Sequence, residues 1–211
     1  MKLAIDIDGC LANFTHAFGD LLIEDSGVNL LGPDWKNDPG FPGTWNWHHD
    51  AGYNLDQIGR AWRYVAEGET FWRDLKPLDS AAATIQQLNR LAGWGHDVYY
   101  VTHRAGKKAK RQTEEWLNSF GMEHPTVILS GQKMPILVAT DVNFFIDDKP
   151  DTVNEVYRNM GQDITVFLKD APYNRADRPL GLRVVDSVAD ALKAIELWQE
   201  PKRGRPKVLV P

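Results

Sequence analysis

Cysteine is nearly absent from this chain: one residue, Cys10, stands among 211. That excludes an internal disulfide framework and fits a reducing compartment. No apolar run is long enough to cross a bilayer, and no signal-peptide pattern precedes the first apolar stretch. The expectation is a cytoplasmic protein without a membrane partner. An excess of positive charge is also missing. With 24 Lys and Arg against 29 Asp and Glu, the formal net charge is −5, which disfavours a globular surface shaped to wrap nucleic acid. No internal repeat is visible. What remains is a globular composition, 43% hydrophobic and 25% charged, in a chain long enough for one large domain or a core with a smaller insertion.

The opening residues carry the strongest pattern. Leu3–Ile7 is short, apolar and closed by Gly9, which predicts a buried parallel strand ending in a tight turn. Alternation along a strand puts Leu3, Ile5 and Ile7 on one face and Asp6 and Asp8 on the other. Two carboxylates so close at the tip of a core strand repel each other and resist desolvation. Either a cation or phosphate chemistry needs them there, or they are solvated residues of a terminal hairpin. Cys10 reads as a small buried apolar residue.

A helix is expected from Leu11 to Glu24, its amide-bearing end facing the two aspartates. Pro33, Pro39, Gly40, Pro42 and Gly43 then break regular structure, and five of the eight tryptophans lie between Trp35 and Trp72. A second helix, Asn54–Glu67, is expected to turn Leu55, Ile58, Ala61, Trp62 and Val65 inward. From Leu75 strand and helix alternate. Asp79 or Ser80 caps a helix to Leu91, and strands follow at Asp97–Thr102, Thr126–Leu129, Asn143–Asp147, Ile164–Leu168 and Leu182–Val185. Helices are expected at 106–120, 135–139 and 150–160, with Ser187 capping the last to Gln199. This spacing predicts an α/β fold: a doubly wound, Rossmann-like parallel sheet with a helical cap inserted after the first strand. The division is a core of residues 1–13 and 76–200, a cap of residues 14–75, and a basic, flexible tail at 201–211.

In such sheets ligands bind beyond the carboxyl ends of the strands. Those ends carry Asp6 and Asp8, then Thr102-His103-Arg104, then Asp147-Asp148, with Lys133 in the loop region after the third strand. Hard oxygens suit Mg²⁺, and a lysine with a hydroxyl suits a phosphoryl group.

In these four motifs, taken in this order over residues 2 to 200, the chain resembles the haloacid dehalogenase superfamily of phosphohydrolases. Within it the chain is most similar to the cytosolic type C 5′(3′)-deoxyribonucleotidases and their bacterial and phage relatives. Asp6-Ile-Asp-Gly-Cys-Leu-Ala-Asn-Phe14 follows their DxDGVLADF pattern, Phe71-Trp-Arg-Asp-Leu-Lys-Pro-Leu78 their FF-x-x-L-x-P-L, and Phe145-Ile-Asp-Asp-Lys-Pro-Asp151 their LIDDRPD. Asn13 stands where Asp is common, and His103-Arg104 stands where the human-type enzymes carry Ser-Pro.

The resemblance implies that Asp6 attacks phosphorus to form an aspartyl-phosphate, while Asp8 serves as acid and then base. It implies a Mg²⁺ held by Asp6, the Asp8 main-chain carbonyl and Asp147 or Asp148, with Asp148 favoured as the direct ligand. Gly9, Thr102, His103 and Lys133 are the phosphate-binding candidates, helped by amides after Asp8. Phe14, Phe18, Phe71, Trp72 and Arg104 are the substrate-binding candidates, and Trp45 and Trp47 either stack on a base or fill the cap's core. Arg104 either clamps substrate or pairs with a cap acid. Trp62 reads as core, His48-His49-Asp50 as a solvated loop, Lys107-Lys108-Lys110-Arg111 as an exposed helix face, and Asp141 and Asp170 as turn residues. In the tail, Arg203-Gly-Arg-Pro206 resembles an AT-hook, so DNA contact stands beside a plain solvated terminus.

The leading expectation is a Mg²⁺-dependent phosphatase of deoxyribonucleoside monophosphates. The alternatives are the same chemistry on sugar phosphates or nucleic-acid phosphate ends, or a DNA-binding accessory protein that uses its tail. A homodimer stays open.

Overall fold

Parallel strands cannot be joined by a tight turn, so each pair requires a crossover, and here helices supply them. The computed structural model describes residues 1–176 and 178–199. The strands are β1 (Lys2–Ile5), β2 (Asp97–Thr102), β3 (Thr126–Leu129), β4 (Phe144–Asp147), β5 (Thr165–Lys169) and β6 (Arg183–Val185). They form one sheet in the order β3-β2-β1-β4-β5-β6, every pairing parallel. The chain winds outward from β1 in both directions, so the sequence-predicted doubly wound sheet is the observed one. The order reverses between β1 and β4, where a crevice opens beyond the strand ends.

The helices are α1 (Phe14–Ser26), α2 (Trp47–Asp50), α3 (Leu55–Glu67), α4 (Ala81–Gly93), α5 (Ala109–Ser119), α6 (Met134–Thr140), α7 (Pro150–Met160) and α8 (Val188–Gln199). Alternating strand residues feed two apolar clusters. Leu3, Ile5 and Tyr100 join Ile85 and Leu88 of α4, Trp116 of α5 and Leu192 of α8. Ala4, Val101, Phe145 and Leu168 join Leu137 of α6 and Val153 and Val156 of α7. The segment between β1 and α4 holds α1, α2 and α3, with α1 packed on α3. Phe18, Trp47, Ile58 and Val65 from this segment belong to the same cluster as Leu3 and Ile5, so it is packed onto the sheet.

Side-chain caps set several helix starts. Asn13 Oδ1 accepts from the His16 amide at the head of α1, and Asn54 and Gln57 form a reciprocal capping box on α3. Ser187 Oγ accepts from the Asp190 amide before α8. Ser80 differs from expectation. Its backbone is left-handed (φ 65°) and its hydroxyl makes no cap bond; its carbonyl takes both the amide and the hydroxyl of Thr84.

The first strand is shorter than its apolar run, and α1 starts later than Leu11. The Ile7 carbonyl accepts from the amides of Cys10, Leu11 and Ala12, which rolls residues 7–12 into a turn before the helix begins. On α3, Ile58, Ala61 and Val65 are buried as expected, but Leu55 is 76% exposed and Trp62 38% exposed. Lys107, Lys108, Lys110 and Arg111 are all exposed. No helix among the described residues is long and apolar enough to cross a membrane. The tail, with Arg203, Gly204, Arg205 and Pro206, lies outside the described residues.

Candidate active site

The carboxyl ends of β1 and β4 lie side by side, because the Asp6 amide donates to the Ile146 carbonyl across the crevice. That register brings Asp6, Asp147 and Asp148 together: one carboxylate oxygen of each lies within 4.8 Å of the others, and all three residues are buried. Lys133, at the head of α6, reaches in from the third crossover. Its Nζ is 2.7 Å from Asp147 Oδ2 and 2.9 Å from Asp6 Oδ1. Burial works against the lysine's charge, but Asp147 and Asp6 outweigh it, and its pKa is raised.

Three carboxylates against one ammonium leave two negative charges in a dry place. Burial comes first and like charge second in pushing Asp148 above the usual carboxylate range, with Asp147 and Asp6 as its repelling neighbours. Asp147 is also raised by burial, against the pull of Lys133. Asp6 Oδ1 is buried, with the Lys133 ammonium 2.9 Å away. Three buried carboxylates with hard oxygen donors, converging within 4.8 Å and sharing a single ammonium, fit a divalent cation.

Asp8 is neutralised differently. Arg104 Nε and Nη2 reach its two oxygens at 3.0 and 2.8 Å, and Thr102 Oγ1 lies 3.5 Å away. Arg104 Nη1 donates to Thr113 Oγ1, and the guanidinium lies 4.9 Å from the Trp72 ring centre. Burial raises the Asp8 pKa, and Arg104 opposes the rise without cancelling it. Arg104 is thus placed otherwise than either sequence reading: 4% exposed, it pairs with Asp8 of the core and is not among the cavity's lining residues.

Gly9 is also placed otherwise than expected. Its amide donates to the Ala12 carbonyl, so that amide and the next three are consumed by the turn and do not point at a phosphate. Glycine is required there for two reasons: φ is +80°, and a Cβ would collide with Asp148 Oδ2 and come 3.0 Å from the Tyr173 hydroxyl.

Above the acids lies a cavity of about 300 Å³. Asp6, Asp8, Thr102, Lys133 and Asp148 are among its polar lining residues, whereas Asp147, at 0% exposure, does not line it. Phe14, Phe18, Trp45, Trp47, Trp62 and Trp72 supply its aromatic lining. Phe14 is stacked between Trp62 and Trp72, each 5.6 Å away. Phe71 does not line the cavity. It packs edge-on against Trp72 and Phe14, which corrects its reading as a substrate contact. Trp62, read as core, faces the cavity instead, because its helix turns its polar flank away and its indole toward Phe14 and Phe18. His48 is half-buried on α2 and also lines the cavity rather than a solvated loop; burial lowers its pKa. His103 lines the rim, exposed to solvent.

Several lining residues were missed from sequence: Thr15, Lys149, Thr152 and Tyr173. Tyr173 had a readable signal, since it follows the end of β5 just as the chosen acids follow β1 and β4. Its hydroxyl donates to Asp148 Oδ2. Asp170, read as a turn residue, is bound by Arg175 and Arg178, and Arg175 leads in lowering its pKa to about 2.

Comparison with known proteins agrees with this picture. The sequence model of the family described as 5′ nucleotidase, deoxy (pyrimidine), cytosolic type C protein matches residues 1–197. A Bacillus cereus protein bearing the name of a nucleotidase is 27% identical over 184 residues, covering 83% of this chain and 89% of that one. A haloacid dehalogenase-like hydrolase structure from Burkholderia xenovorans gives a TM-score of 0.56 at 12% identity, covering 93% of this chain and 97% of its own. A hydrolase of the same type from Bacillus subtilis, solved bound to magnesium, gives 0.55 at 13%, covering 92% and 98%. At such identities these two structures speak for the fold alone.

Proposed function

The chain belongs to the cytosolic type C 5′-nucleotidase family, enzymes of the phosphatase class on a haloacid dehalogenase-like fold, and from that premise we propose a Mg²⁺-dependent phosphomonoesterase of deoxyribonucleoside monophosphates. One observation carries the reading: Asp6 and Asp148 of the three-acid cluster line a cavity that is also walled by aromatic rings. A phosphate and a base have those two natures, and the volume is at the lower bound for a small-molecule site.

Asp6, Asp148 and Asp147 would hold the cation, with Asp148 on the cavity wall and Asp147 behind it steadying Lys133. When bound, Mg²⁺ supplies positive charge that offsets repulsion between an attacking carboxylate and a phosphate dianion. Asp6 attacks phosphorus, forming an O–P bond as the ester P–O bond breaks. Asp8 gives its proton to the departing sugar oxygen, then takes one from the water that attacks the aspartyl-phosphate, which releases phosphate and restores Asp6. Arg104 holds the Asp8 carboxyl in one orientation between these two tasks. Lys133 and the Thr102 hydroxyl are the phosphate contacts. Phe14 and Trp72, stacked on each other, exclude water, and Trp62, 38% exposed, offers a face to a base, a stack worth roughly 1–3 kcal/mol.

The test is phosphate release in MgCl₂ across all nucleoside monophosphates, a set of sugar phosphates and 3′-phosphorylated oligonucleotides. The highest kcat/KM is expected on a deoxyribonucleoside monophosphate, and Asp6→Asn is expected to abolish turnover. Faster hydrolysis of a sugar phosphate or an oligonucleotide end overturns the substrate, and turnover in Asp6→Asn overturns the chemistry.

A further inference from the structure

Asp148 differs from its neighbours in how it is held. Asp6 and Asp147 share Lys133, and Asp8 has Arg104, but among the described residues no cation pairs with Asp148. Its partners are neutral. The Tyr173 hydroxyl donates to Oδ2, and the Cys10 thiol lies 3.7 Å from Oδ1. A neutral donor orients a carboxylate without cancelling its charge, whereas a lysine there would compete with any cation the site takes up.

The surroundings of Tyr173 are built to fix that hydroxyl. Tyr173 is the middle residue of the 3₁₀ turn Pro172–Asn174, directly after β5. Asn174 is 1% exposed and locks the turn to the acid's main chain, its Nδ2 donating 2.8 Å to both the Asp148 and Lys169 carbonyls. Its Oδ1 accepts from the Ala171 amide and from Arg178. Two successive residues thus hold Asp148 at its carboxylate and its backbone. The Tyr173 ring also meets Trp45 edge-on at 5.4 Å, and Lys149 Nζ lies over the Trp45 ring, 5.2 Å from its centre. On the inner side Gly9 has no Cβ, and any side chain there would displace both the carboxylate and the hydroxyl.

Resting on the metal-site reading above, we propose that Tyr173 is a positioning residue for Asp148: its hydroxyl holds the carboxylate in the orientation that binds the divalent cation, while leaving the carboxylate's charge for that cation. Hydrogen-bond partners that orient a ligand typically contribute ten- to a hundredfold to metal affinity.

The experiment uses the full chain and Mg²⁺ alone, titrated by calorimetry, with Tyr173→Phe, which keeps the ring against Trp45, and Asp148→Asn. Tyr173→Phe is expected to weaken Mg²⁺ binding about tenfold, with an unchanged circular dichroism spectrum and an unchanged metal-free Tm. In turnover assays the Mg²⁺ concentration for half-activation rises by the same factor. Saturating Mg²⁺ restores kcat, and KM for nucleotide stays at its wild-type value, a pattern that damage to packing does not produce. Tyr173→Met removes the hydroxyl a second way should the phenylalanine variant fold poorly. Wild-type Mg²⁺ affinity in a folded Tyr173 variant, together with loss of binding in Asp148→Asn, overturns the positioning role and leaves the metal site standing. Unchanged binding in Asp148→Asn overturns the metal-site reading and this inference with it.

Discussion

At the scale of single residues, the site is a problem of placing charge in a dry crevice, and each charge is handled by a different device. Arg104 balances Asp8, Lys133 balances one unit among Asp6, Asp147 and Asp148, and neutral Tyr173 restrains Asp148, which no cation among the described residues pairs with. His48 belongs to the same scale. Its ring is half-buried beside Phe18, Trp47 and His49, and burial lowers its pKa below the ordinary histidine value of 6.5, with His49 adding to the effect. In the unfolded chain the ring takes a proton near its ordinary value, but in the folded chain only at lower pH. The contribution of neutral His48 is therefore complete above about 6.5 and is lost as the pH falls through its lowered folded value. His48→Phe is expected to flatten the decline of urea-unfolding stability between about pH 6.5 and 5. Some slope will remain, because the His16 pKa is lowered as well, also led by burial. A variant with the wild-type slope contradicts this.

At the scale of elements, α5 ties the segment that returns from the insertion to the sheet layer. Its buried Gln112 accepts from the Trp72 amide at 2.9 Å and donates to the Gly68 carbonyl at 2.8 Å. One turn further on, Trp116 Nε1 donates to the Leu75 carbonyl at 2.7 Å. The loop before α5 approaches the same region so closely that a Cβ on Gly106 (φ +106°) would strike the Ala66 carbonyl at the end of α3. The Gln112 tie holds Trp72, whose ring stacks on Phe14 and lies 4.9 Å from the Arg104 guanidinium. Gln112→Leu keeps the bulk but strands two main-chain groups, and is expected to lower unfolding stability by about 2 kcal/mol, read as a shift in the urea midpoint with an unchanged m-value. This interlock was not legible in the sequence. A lone glutamine on an amphipathic helix reads as surface, and its two partners lie about forty residues upstream.

At the scale of the whole molecule, the sheet supplies the chemistry and the insertion supplies the aromatic wall. The two functions are separable by substrate. Trp62→Ala is expected to raise KM for deoxyribonucleoside monophosphates about tenfold, the middle of the range for one base stack, while leaving kcat/KM for p-nitrophenyl phosphate within about twofold. Equal losses on both substrates mean that Trp62 braces the site rather than meeting a base.

The positions of the strands along the chain, the two-sided winding and the convergence of Asp6, Thr102, Lys133 and Asp147-Asp148 were legible because they follow from periodicity and chain connectivity: an apolar strand ends where its alternation ends, and parallel strands all end on one side. Where each side chain then turns is not a property of spacing. Arg104 faces Asp8 because the packing of Trp72 and Thr113 leaves it that course, Gly9 spends its amide on a turn closed by Ala12, and Phe71 falls behind Trp72 instead of beside Phe14 in the cavity. The sequence by itself determined which acids meet at the rim; only the tertiary structure decided which neighbour neutralises, orients or covers each of them, since those outcomes depend on distances of a few ångströms between elements far apart along the chain.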